Sequence, residues 1–315
     1  MNTPLSRRKF LWTLSAAGAA VAARTSSASD MSRAGFALPA TAASADIRIG
    51  YASITWGGKA QQAIDDISAV GYRGIQLRSD DITQFQPSAL RDELQRKNLE
   101  FVALSSGNVS IDPAKKASDI AAHIAHATYM HDAGGHYLQV LDQEPGRSDF
   151  SASDYKYFGS ALTEIGKRTA DVGIPLVYHN HLNSVSEHPE GLARVFDAVN
   201  PKYVKLLFDT AHYQAGGGDP VKGIVQYREH IALLHLKDLG KPFDLPANNP
   251  RRLEDFVELG RGDVNIPGVF GALRQIKFHG WAMVELDSEN DKSRTPKESA
   301  EISKKYLEDT LGIHL

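Results

Sequence analysis

Residues 204–212 read VKLLFDTAH: a short apolar run ends abruptly in an aspartate. The same pattern recurs in the second half of the chain, where apolar runs end in YHNH at 178–181, HLKD at 235–238 and VELD at 284–287. Strands of a parallel sheet are buried on both faces and read as continuous apolar runs. The ends of these four runs therefore predict a polar site at one edge of a parallel sheet.

Four more apolar runs precede these, which makes eight in all: Ile47–Ile54, Gly74–Leu77, Leu99–Leu104, Tyr137–Leu141, Ile174–Tyr178, Val204–Phe208, Ile231–Leu236 and Trp281–Leu286. Amphipathic stretches lie between most of them, and several begin with Pro or a Ser/Asp cap, as helices do. Eight β-then-α units predict an α/β protein with a closed (β/α)8 TIM barrel, a single catalytic domain over residues 46–315. A doubly wound open sheet is the alternative, but no Gly-rich dinucleotide or Walker motif follows an early strand.

One connection is long and irregular in sequence. Lys241–Pro250 reads KPFDLPANNP and lies between the seventh and eighth predicted strands. A loop of this kind at the mouth of a barrel predicts a lid.

The first 45 residues predict an export signal. Ser6–Leu11 reads SRRKFL, which resembles the twin-arginine motif, and a mild apolar run, Leu11–Ala23, follows it. This run is too short to span a bilayer well, which argues against a stable membrane anchor, and small residues offer cleavage sites near Ala28 and at Ala43–Ala45. We therefore expect residues 1–45 to be a twin-arginine signal peptide and short linker, read by the Tat translocase, and the remainder to be periplasmic. A disordered basic N-terminus in a cytoplasmic protein is the alternative.

Composition and charge exclude some classes of site and partner. Of 315 residues 42% are hydrophobic and 23% charged, which is typical of a globular protein, and there is no cysteine. Thiolate metal ligands and cysteine nucleophiles are therefore excluded. Residues 1–45 hold five Lys or Arg and one Asp, which leaves 30 basic against 37 acidic residues, a net charge of −7, in the rest of the chain. Nucleic acid is not expected as a partner, because phosphate binding needs a basic footprint.

Strand parity places the polar residues on one face. Alternate residues of a strand share a face, so His179 aligns with His181, His235 with Lys237 and Glu285 with Asp287. A ring of such groups inside a barrel is costly unless it binds a metal. One buried His or Asp alone is more often structural, but four at matching strand ends predict a divalent cation site. Mixed imidazole and carboxylate ligands suit Mn²⁺, Co²⁺, Fe²⁺ or Zn²⁺ better than Ca²⁺.

These motifs, together with LGRGDVN at 259–265 and GWAMVELD at 280–287, resemble the xylose isomerase-like superfamily. That group includes sugar isomerases, ketose 3-epimerases, inosose dehydratases and, more remotely, endonuclease IV. The likeness covers most of residues 46–315 and is closest to the inosose dehydratase and sugar phosphate isomerase/epimerase branches. It implies one divalent metal ion, Mn²⁺ first, with Co²⁺, Fe²⁺, Zn²⁺ or Mg²⁺ as alternatives.

The resemblance also implies roles for particular residues. The metal ligands carried over are His179, Asp209, His235 and Glu285, where His179 replaces a glutamate of the ketose epimerases. This replacement breaks the pair of carboxylates that serves those epimerases as acid and base, and His-x-His on the fifth strand is like the dehydratase branch. Gln76 on the second strand is a further departure, because relatives often carry Glu there. The predicted catalytic groups are Glu285, His179 and His181. His212 matches a substrate-binding histidine of the family, and the residues themselves suggest Lys237, Glu187 and Trp56 as further substrate-binding groups, with Trp56 as a stacking face for a sugar ring. A solvated helix-cap role for Glu187 and a core role for Trp56 are the alternatives.

The predicted function is a divalent-metal-dependent sugar or keto-sugar isomerase or epimerase that removes a proton next to a carbonyl through an enediolate. A dehydratase or lyase of the inosose dehydratase or 3-keto-glycoside type, using the same enolisation, is the alternative. A non-catalytic periplasmic sugar-binding barrel and a DNA-repair nuclease are weaker readings. The expected partner is a small-molecule sugar or cyclitol, and the chain is a candidate homo-oligomer.

Overall fold

The computed structural model describes residues 46–142, 147–240, 255–287 and 293–315. Eight parallel strands close into a barrel in the order β1-β10-β7-β6-β5-β4-β3-β2. They are β1 Ile47–Ala52, β2 Gly74–Arg78, β3 Glu100–Asn108, β4 Tyr137–Leu141, β5 Leu176–His179, β6 Val204–Asp209, β7 Ile231–Leu236 and β10 Gly280–Val284. Two short strands, β8 (Asp238–Leu239) and β9 (Phe256–Val257), form a separate antiparallel pair. The predicted TIM barrel and all eight of its predicted strands are confirmed.

Helices connect the strands as predicted, with short helical additions that the sequence did not indicate. They are α1 Ala60–Val70, α2 Ser79–Ile82, α3 Pro87–Arg96, α4 Lys116–Ala133, α5 Ala152–Asp171, α6 Pro189–Ala198, α7 Thr210–Ala215, α8 Pro220–Gln226, α9 Ile266–Gln275 and α10 Pro296–Leu311. Capping boxes start two of the longer ones: Ser151 with Asp154 opens α5, and Thr295 with Glu298 opens α10. Each box satisfies backbone N–H groups that the first helical turn leaves unpaired.

The interior of the barrel is packed with apolar side chains below its carboxyl end. Val102, Val177, Leu207, Leu233, Trp281 and Met283 are all buried there in one cluster. The large Trp281 ring fits because β2 carries Gly74 beside it: a Cβ at Gly74 would lie 2.5 Å from the ring. This apolar cluster closes the barrel from beneath, so a polar site can form only at the carboxyl ends of the strands.

Two predicted segments lie outside the described residues: the signal segment and linker, 1–45, and the predicted lid loop Lys241–Pro250. Both remain predictions. Within the described ranges no helix is long and apolar enough to cross a membrane.

Candidate metal centre and active site

Alternation along the strands brings four side chains together above the apolar cluster. Two residues after Val177, Leu207, Leu233 and Met283, which point inward, come His179, Asp209, His235 and Glu285 respectively. One potential ligand atom from each of these four residues lies within 4.8 Å of all the others, and all four residues are buried. The structure therefore brings together the four residues that the sequence predicted as metal ligands.

Three buried atoms in this group have no hydrogen bond of good geometry: Nδ1 of His179, Nδ1 of His235 and Oδ2 of Asp209. Buried polar atoms are nearly always hydrogen-bonded. Nitrogen and carboxylate oxygen are the atoms by which Mn²⁺, Fe²⁺, Co²⁺ and Zn²⁺ are bound in proteins. The unpaired atoms therefore fit a divalent cation held among these residues.

Hydrogen bonds fix Asp209 so that only one of its oxygens is available. Its Oδ1 atom accepts a hydrogen bond from the backbone N–H of His212 at 2.8 Å and so caps α7. The side chain of Asn180 clamps the backbone of Asp209, accepting from its N–H at 2.9 Å and donating to its carbonyl at 3.3 Å. Oδ2 remains directed toward His235, 3.6 Å from Nδ1.

Electrostatics give the centre a charged ligand pair in the absence of a cation. Burial favours the neutral form of His235, but the Glu285 carboxylate, 3.0 Å from Nδ1, and Asp209 outweigh burial and raise the pKa of His235 to about 9. Burial also favours neutral Glu285, yet His235 and Lys237 lower the pKa of this carboxyl well below its usual value. Both shifts favour an ion pair between the His235 imidazolium and the Glu285 carboxylate.

Three further imidazoles stay neutral. Burial, reinforced by neighbouring positive groups, lowers the pKa values of His179, His181 and His212. The rings of His181 and His212 lie 3.7 Å apart between centroids, and those of His179 and His181 lie 5.3 Å apart. His181 Nδ1 lies 2.6 Å from the carbonyl of Leu182, an acceptor, so this nitrogen carries the proton and Nε2 is left as a base.

Lys237 is a fully buried cation beside this cluster. Its ammonium donates to Asp287 at 2.6 Å and to Glu285 at 3.3 Å, lies 3.3 Å from Nε2 of His212 and sits 4.0 Å above the ring of Phe256. Burial alone would lower the pKa of Lys237, but the two carboxylates raise it above the ordinary value. A lysine held charged in this way stabilises negative charge well and is a poor proton donor.

A pocket opens over the centre at the carboxyl end of the barrel. His179, His181, Glu285 and Asp287 form one side of it, and polar residues of β2, β3 and β4 and the first residue of α2 form the other: Arg78, Ser79, Ser105, Asn108 and Gln139. His212 and Lys237 are not among the lining residues and lie behind His181 and Glu285. Direct substrate contact by these two, as predicted, would therefore need His181 or Glu285 to move.

Two of the predicted substrate-binding residues lie away from this pocket. The Trp56 indole is buried, packs edge-on against Tyr51 and donates to Asp66 at 2.9 Å, so it belongs to the core and offers no stacking face to a sugar. Glu187 lines a separate pocket beside α6, where its carboxylate accepts from the backbone N–H of Asn183 at 2.9 Å. Sequence alone does not separate a core indole from a pocket indole, because both follow an apolar strand.

Two glutamines lie between the metal centre and the far wall of the pocket: Gln76, which the sequence marked as a departure from the family, and Gln139, which it did not mark. Both side chains are buried, on β2 and β4. The Nε2 atom of His235 lies 3.0 Å from Oε1 of Gln76, and Nε2 of Gln76 donates to Oε1 of Gln139 at 2.7 Å. These contacts join positions 159 and 63 residues apart, and no local pattern marks them.

Known proteins share this architecture. The sequence model of the xylose isomerase-like TIM barrel family matches residues 64–309. A curated relative, inosose dehydratase from Lacticaseibacillus casei, is 26% identical over 277 residues, covering 80% of this chain and 90% of the relative. A solved structure described as the IolI protein with a bound zinc atom superposes with a TM-score of 0.71 and 19% identity, covering 85% of this chain and 99% of that one.

A D-allulose 3-epimerase from Methylomonas sp. superposes with a TM-score of 0.66 and 19% identity, covering 84% of this chain and 98% of that one. Dehydratase and epimerase are the two activities that the sequence predicted as alternatives. The family match spans most of the barrel, from α1 to α10. This chain therefore belongs to the xylose isomerase-like TIM barrel family.

Proposed function

We propose that this protein is a divalent-metal-dependent dehydratase or lyase acting on a keto-sugar or keto-cyclitol. The observation that carries the proposal is the imidazole of His179 in the ligand group, where the resemblance places a second carboxylate in the ketose epimerases. With Glu285 as the only carboxylate at that pair of positions, acid–base exchange between two carboxylates is not available. The names of the curated relatives, inosose dehydratases, support the same reading.

His179, Asp209, His235 and Glu285 would hold the cation, which would supply Lewis-acid polarisation of a substrate carbonyl and so acidify the neighbouring C–H. We propose Mn²⁺ for this position, with Zn²⁺ as the first alternative, because zinc is the metal named in the IolI structure. The three buried atoms of the ligand group that make no hydrogen bond of good geometry support a resident ion.

His181 is the proposed general base. It lines the pocket, burial keeps it neutral, and its Nδ1–H group is committed to Leu182, which leaves Nε2 to take the proton next to the carbonyl. The buried Lys237 stabilises the resulting negative charge through Glu285 and Asp287 without giving up its proton. Glu285 and His179 are the other predicted candidates for the base, but both belong to the group that would hold the cation.

Elimination completes the reaction without another reactant. The C–O bond of a β-hydroxyl or β-alkoxy group breaks, the proton held on His181 passes to the leaving oxygen, and water or an alcohol departs. The product is an unsaturated ketone. Returning the proton to carbon would instead give isomerisation or epimerisation, which is the second candidate, favoured by the superposition on an epimerase of this family.

The test is turnover of inososes and 3-keto-glycosides with Mn²⁺ in D₂O, followed by NMR. The proposal expects an unsaturated ketone and loss of the proton next to the carbonyl. An epimer carrying deuterium at that carbon would move the assignment to the second candidate. His181→Asn should abolish both products and His188→Asn should leave them unchanged, because His188 lines the separate pocket beside α6 and is not among the described residues that line the pocket over the metal centre. Full activity of His181→Asn would remove it as the base.

We also propose that residues 1–45 direct the folded chain to the periplasm through the twin-arginine route. The motif at Ser6–Leu11 and the absence of cysteine support this. N-terminal sequencing of protein from the periplasmic fraction tests it, with an Arg7→Lys, Arg8→Lys double variant as control. We expect cleavage before Asp46 and retention of the double variant in the cytoplasm. An intact N-terminus on the mature protein would contradict the proposal.

A further inference from the structure

A row of hydrogen bonds runs from the candidate metal centre to the opposite wall of the pocket. It consists of His235 on β7, Gln76 on β2 and Gln139 on β4, and all three side chains are at most 3% exposed. The contacts are 3.0 Å from His235 Nε2 to Gln76 Oε1 and 2.7 Å from Gln76 Nε2 to Gln139 Oε1. We call these three side chains the amide relay.

The direction of each hydrogen bond follows from the ligand atom. The Nδ1 atom of His235 faces Glu285 and Asp209, so a cation in the centre takes Nδ1 and the ring proton resides on Nε2. An Nε2–H donor requires the oxygen of Gln76, not its NH₂ group. With its oxygen so used, Gln76 offers its NH₂ group to Gln139, which must accept with Oε1.

The orientation of the last side-chain amide of the relay, that of Gln139, is therefore fixed. Because Oε1 of Gln139 faces Gln76, its NH₂ group is the end that is left for the pocket, which Gln139 lines opposite His179 and Glu285. Within the described residues this NH₂ group has no hydrogen-bond partner. A buried donor beside a pocket is positioned to bind an oxygen of a substrate.

We propose that Gln76 and Gln139 are positioning and specificity residues: Gln76 holds His235 in the ligating tautomer and thereby sets Gln139 as a hydrogen-bond donor to a substrate carbonyl or hydroxyl oxygen. The part of this proposal that concerns the substrate, donation by Gln139, rests on the proposed function and is called the substrate half. The part that concerns the tautomer of His235 does not, and is called the tautomer half. The relay also gives a reason for an amide at position 76. A glutamate there accepts from His235 equally well but has no N–H to offer, so Gln139 must turn its NH₂ group inward and present an acceptor to the pocket.

Three variants separate these roles. Gln76→Met removes the acceptor for His235 and should weaken Zn²⁺ binding by about tenfold to a hundredfold in chelator competition. Gln76→Glu keeps an acceptor and should bind Zn²⁺ at least as tightly as the wild type. Gln139→Leu is the matched control, since it removes the far end of the relay and should leave Zn²⁺ affinity within about threefold. Unchanged affinity in Gln76→Met would overturn the tautomer half.

NMR can determine, without any substrate, which end of the Gln139 side-chain amide faces residue 76. In Zn²⁺-loaded protein labelled with ¹⁵N-glutamine, the Gln139 amide signal is identified by its loss in Gln139→Leu. In Gln76→Glu the proposal expects this signal to shift downfield, because the amide then donates to a carboxylate. A signal in the wild-type position would show that the amide had not turned, and would overturn the polarity argument.

The substrate half is tested on whichever ketone the enzyme converts. Gln139→Leu and Gln76→Glu should each raise KM about tenfold, the loss of one hydrogen bond to substrate. The double variant should be no worse than either single variant, because both remove the same donor. The proposed hydrogen bond from Gln139 to the substrate would be overturned if the increases in KM multiplied in the double variant, or if KM were unchanged in Gln139→Leu. If no ketone is converted the proposed function fails, while the metal and NMR results still decide the tautomer half.

Discussion

Binding of a cation should release one proton from the metal centre near neutral pH. In the metal-free protein the carboxylates of Glu285 and Asp209, 3.0 and 3.6 Å from Nδ1 of His235, outweigh the effect of burial and raise the pKa of this imidazole to about 9. A metal ligand must be deprotonated, so the ion displaces that proton. Burial lowers the pKa of His179, which therefore has no proton to release at pH 7.

The magnitude follows from that pKa. At pH 7, two units below it, about 99% of His235 carries the extra proton, so close to one proton should leave per ion bound. As the pH falls below about 9, the apparent Kd for Mn²⁺ should rise by about tenfold per unit, or roughly a hundredfold from pH 8 to pH 6.

Isothermal titration calorimetry in buffers of different ionisation enthalpy measures the number of protons released. His235→Asn is the matched control: it removes the titrating group, so its weaker binding should release no proton and should lose the steep dependence on pH. A wild-type proton count near zero at pH 7, or an apparent Kd that is flat between pH 6 and pH 8, would show that His235 is neutral before the metal binds.

Three further predictions concern packing, acid stability and the buried lysine. Gly74→Ala would place a Cβ 2.5 Å from the ring of Trp281 and should lower the free energy of unfolding, measured in urea, by about 1–3 kcal/mol. The control Gly271→Ala, in α9 where a Cβ meets open space, should not lower it. Equal urea midpoints for the two variants would contradict the close packing of Gly74 against Trp281. Burial lowers the pKa of His123 to about 4, so as the pH falls the unfolded chain takes up the proton before the folded protein does. The free energy of unfolding that this histidine contributes above about pH 6.5 should therefore be lost toward pH 4, at about 1.4 kcal/mol per pH unit. The variant His123→Asn should reduce this slope. Lys237→Met removes a cation beside a ligand carboxylate, so it should tighten Mn²⁺ binding yet lower kcat on the order of a hundredfold; unchanged turnover would remove Lys237 from the mechanism.

The barrel strands were predictable because a parallel barrel buries both faces of each strand, and apolar runs record this directly. The helices α7 and α8 were not predicted. The segment that holds them, 210–226, reads TAHYQAGGGDPVKGIVQ, and its glycines interrupt any apolar periodicity. Their starts depend on carboxylates, since Asp209 caps α7 and Asp219 caps α8. The Asp209 carboxylate was considered only as a ligand in the sequence analysis.

The pair β8 and β9 was also missed, because two-residue strands leave no periodic signal. The carboxylate of Asp238 orders the loop after β9, since it accepts hydrogen bonds from the N–H groups of Gly260, Gly262 and Val264 at 2.9–3.0 Å. Asp238 belongs to the HLKD motif that the sequence analysis singled out. In the structure the side chain of Asp238 hydrogen-bonds to the loop, whereas the side chain of its neighbour Lys237 contacts residues of the candidate site.

The candidate site was predictable to the extent that strand parity determines it. His179 and Asp209 end their strands, His235 lies one residue before the end of β7, and Glu285 directly follows β10. Alternation along the predicted strands was therefore enough to place all four on the inner face. The amide relay was not predictable, since it depends on distances across the barrel between strands far apart in sequence. The sequence left a core role and a stacking role open for Trp56, and the structure shows the core role, because Asp66 on α1 accepts a hydrogen bond from the indole N–H.

We propose that groups from β5, β6 and β7, together with Glu285 just after β10, hold one cation. The most direct measurement is anomalous X-ray scattering from crystals grown with Mn²⁺. We expect a single strong peak within about 2.0–2.3 Å of ligand atoms from His179, Asp209, His235 and Glu285, and its loss in His235→Asn. Active enzyme whose crystals show no peak among these four residues, or a peak bound elsewhere, would contradict it.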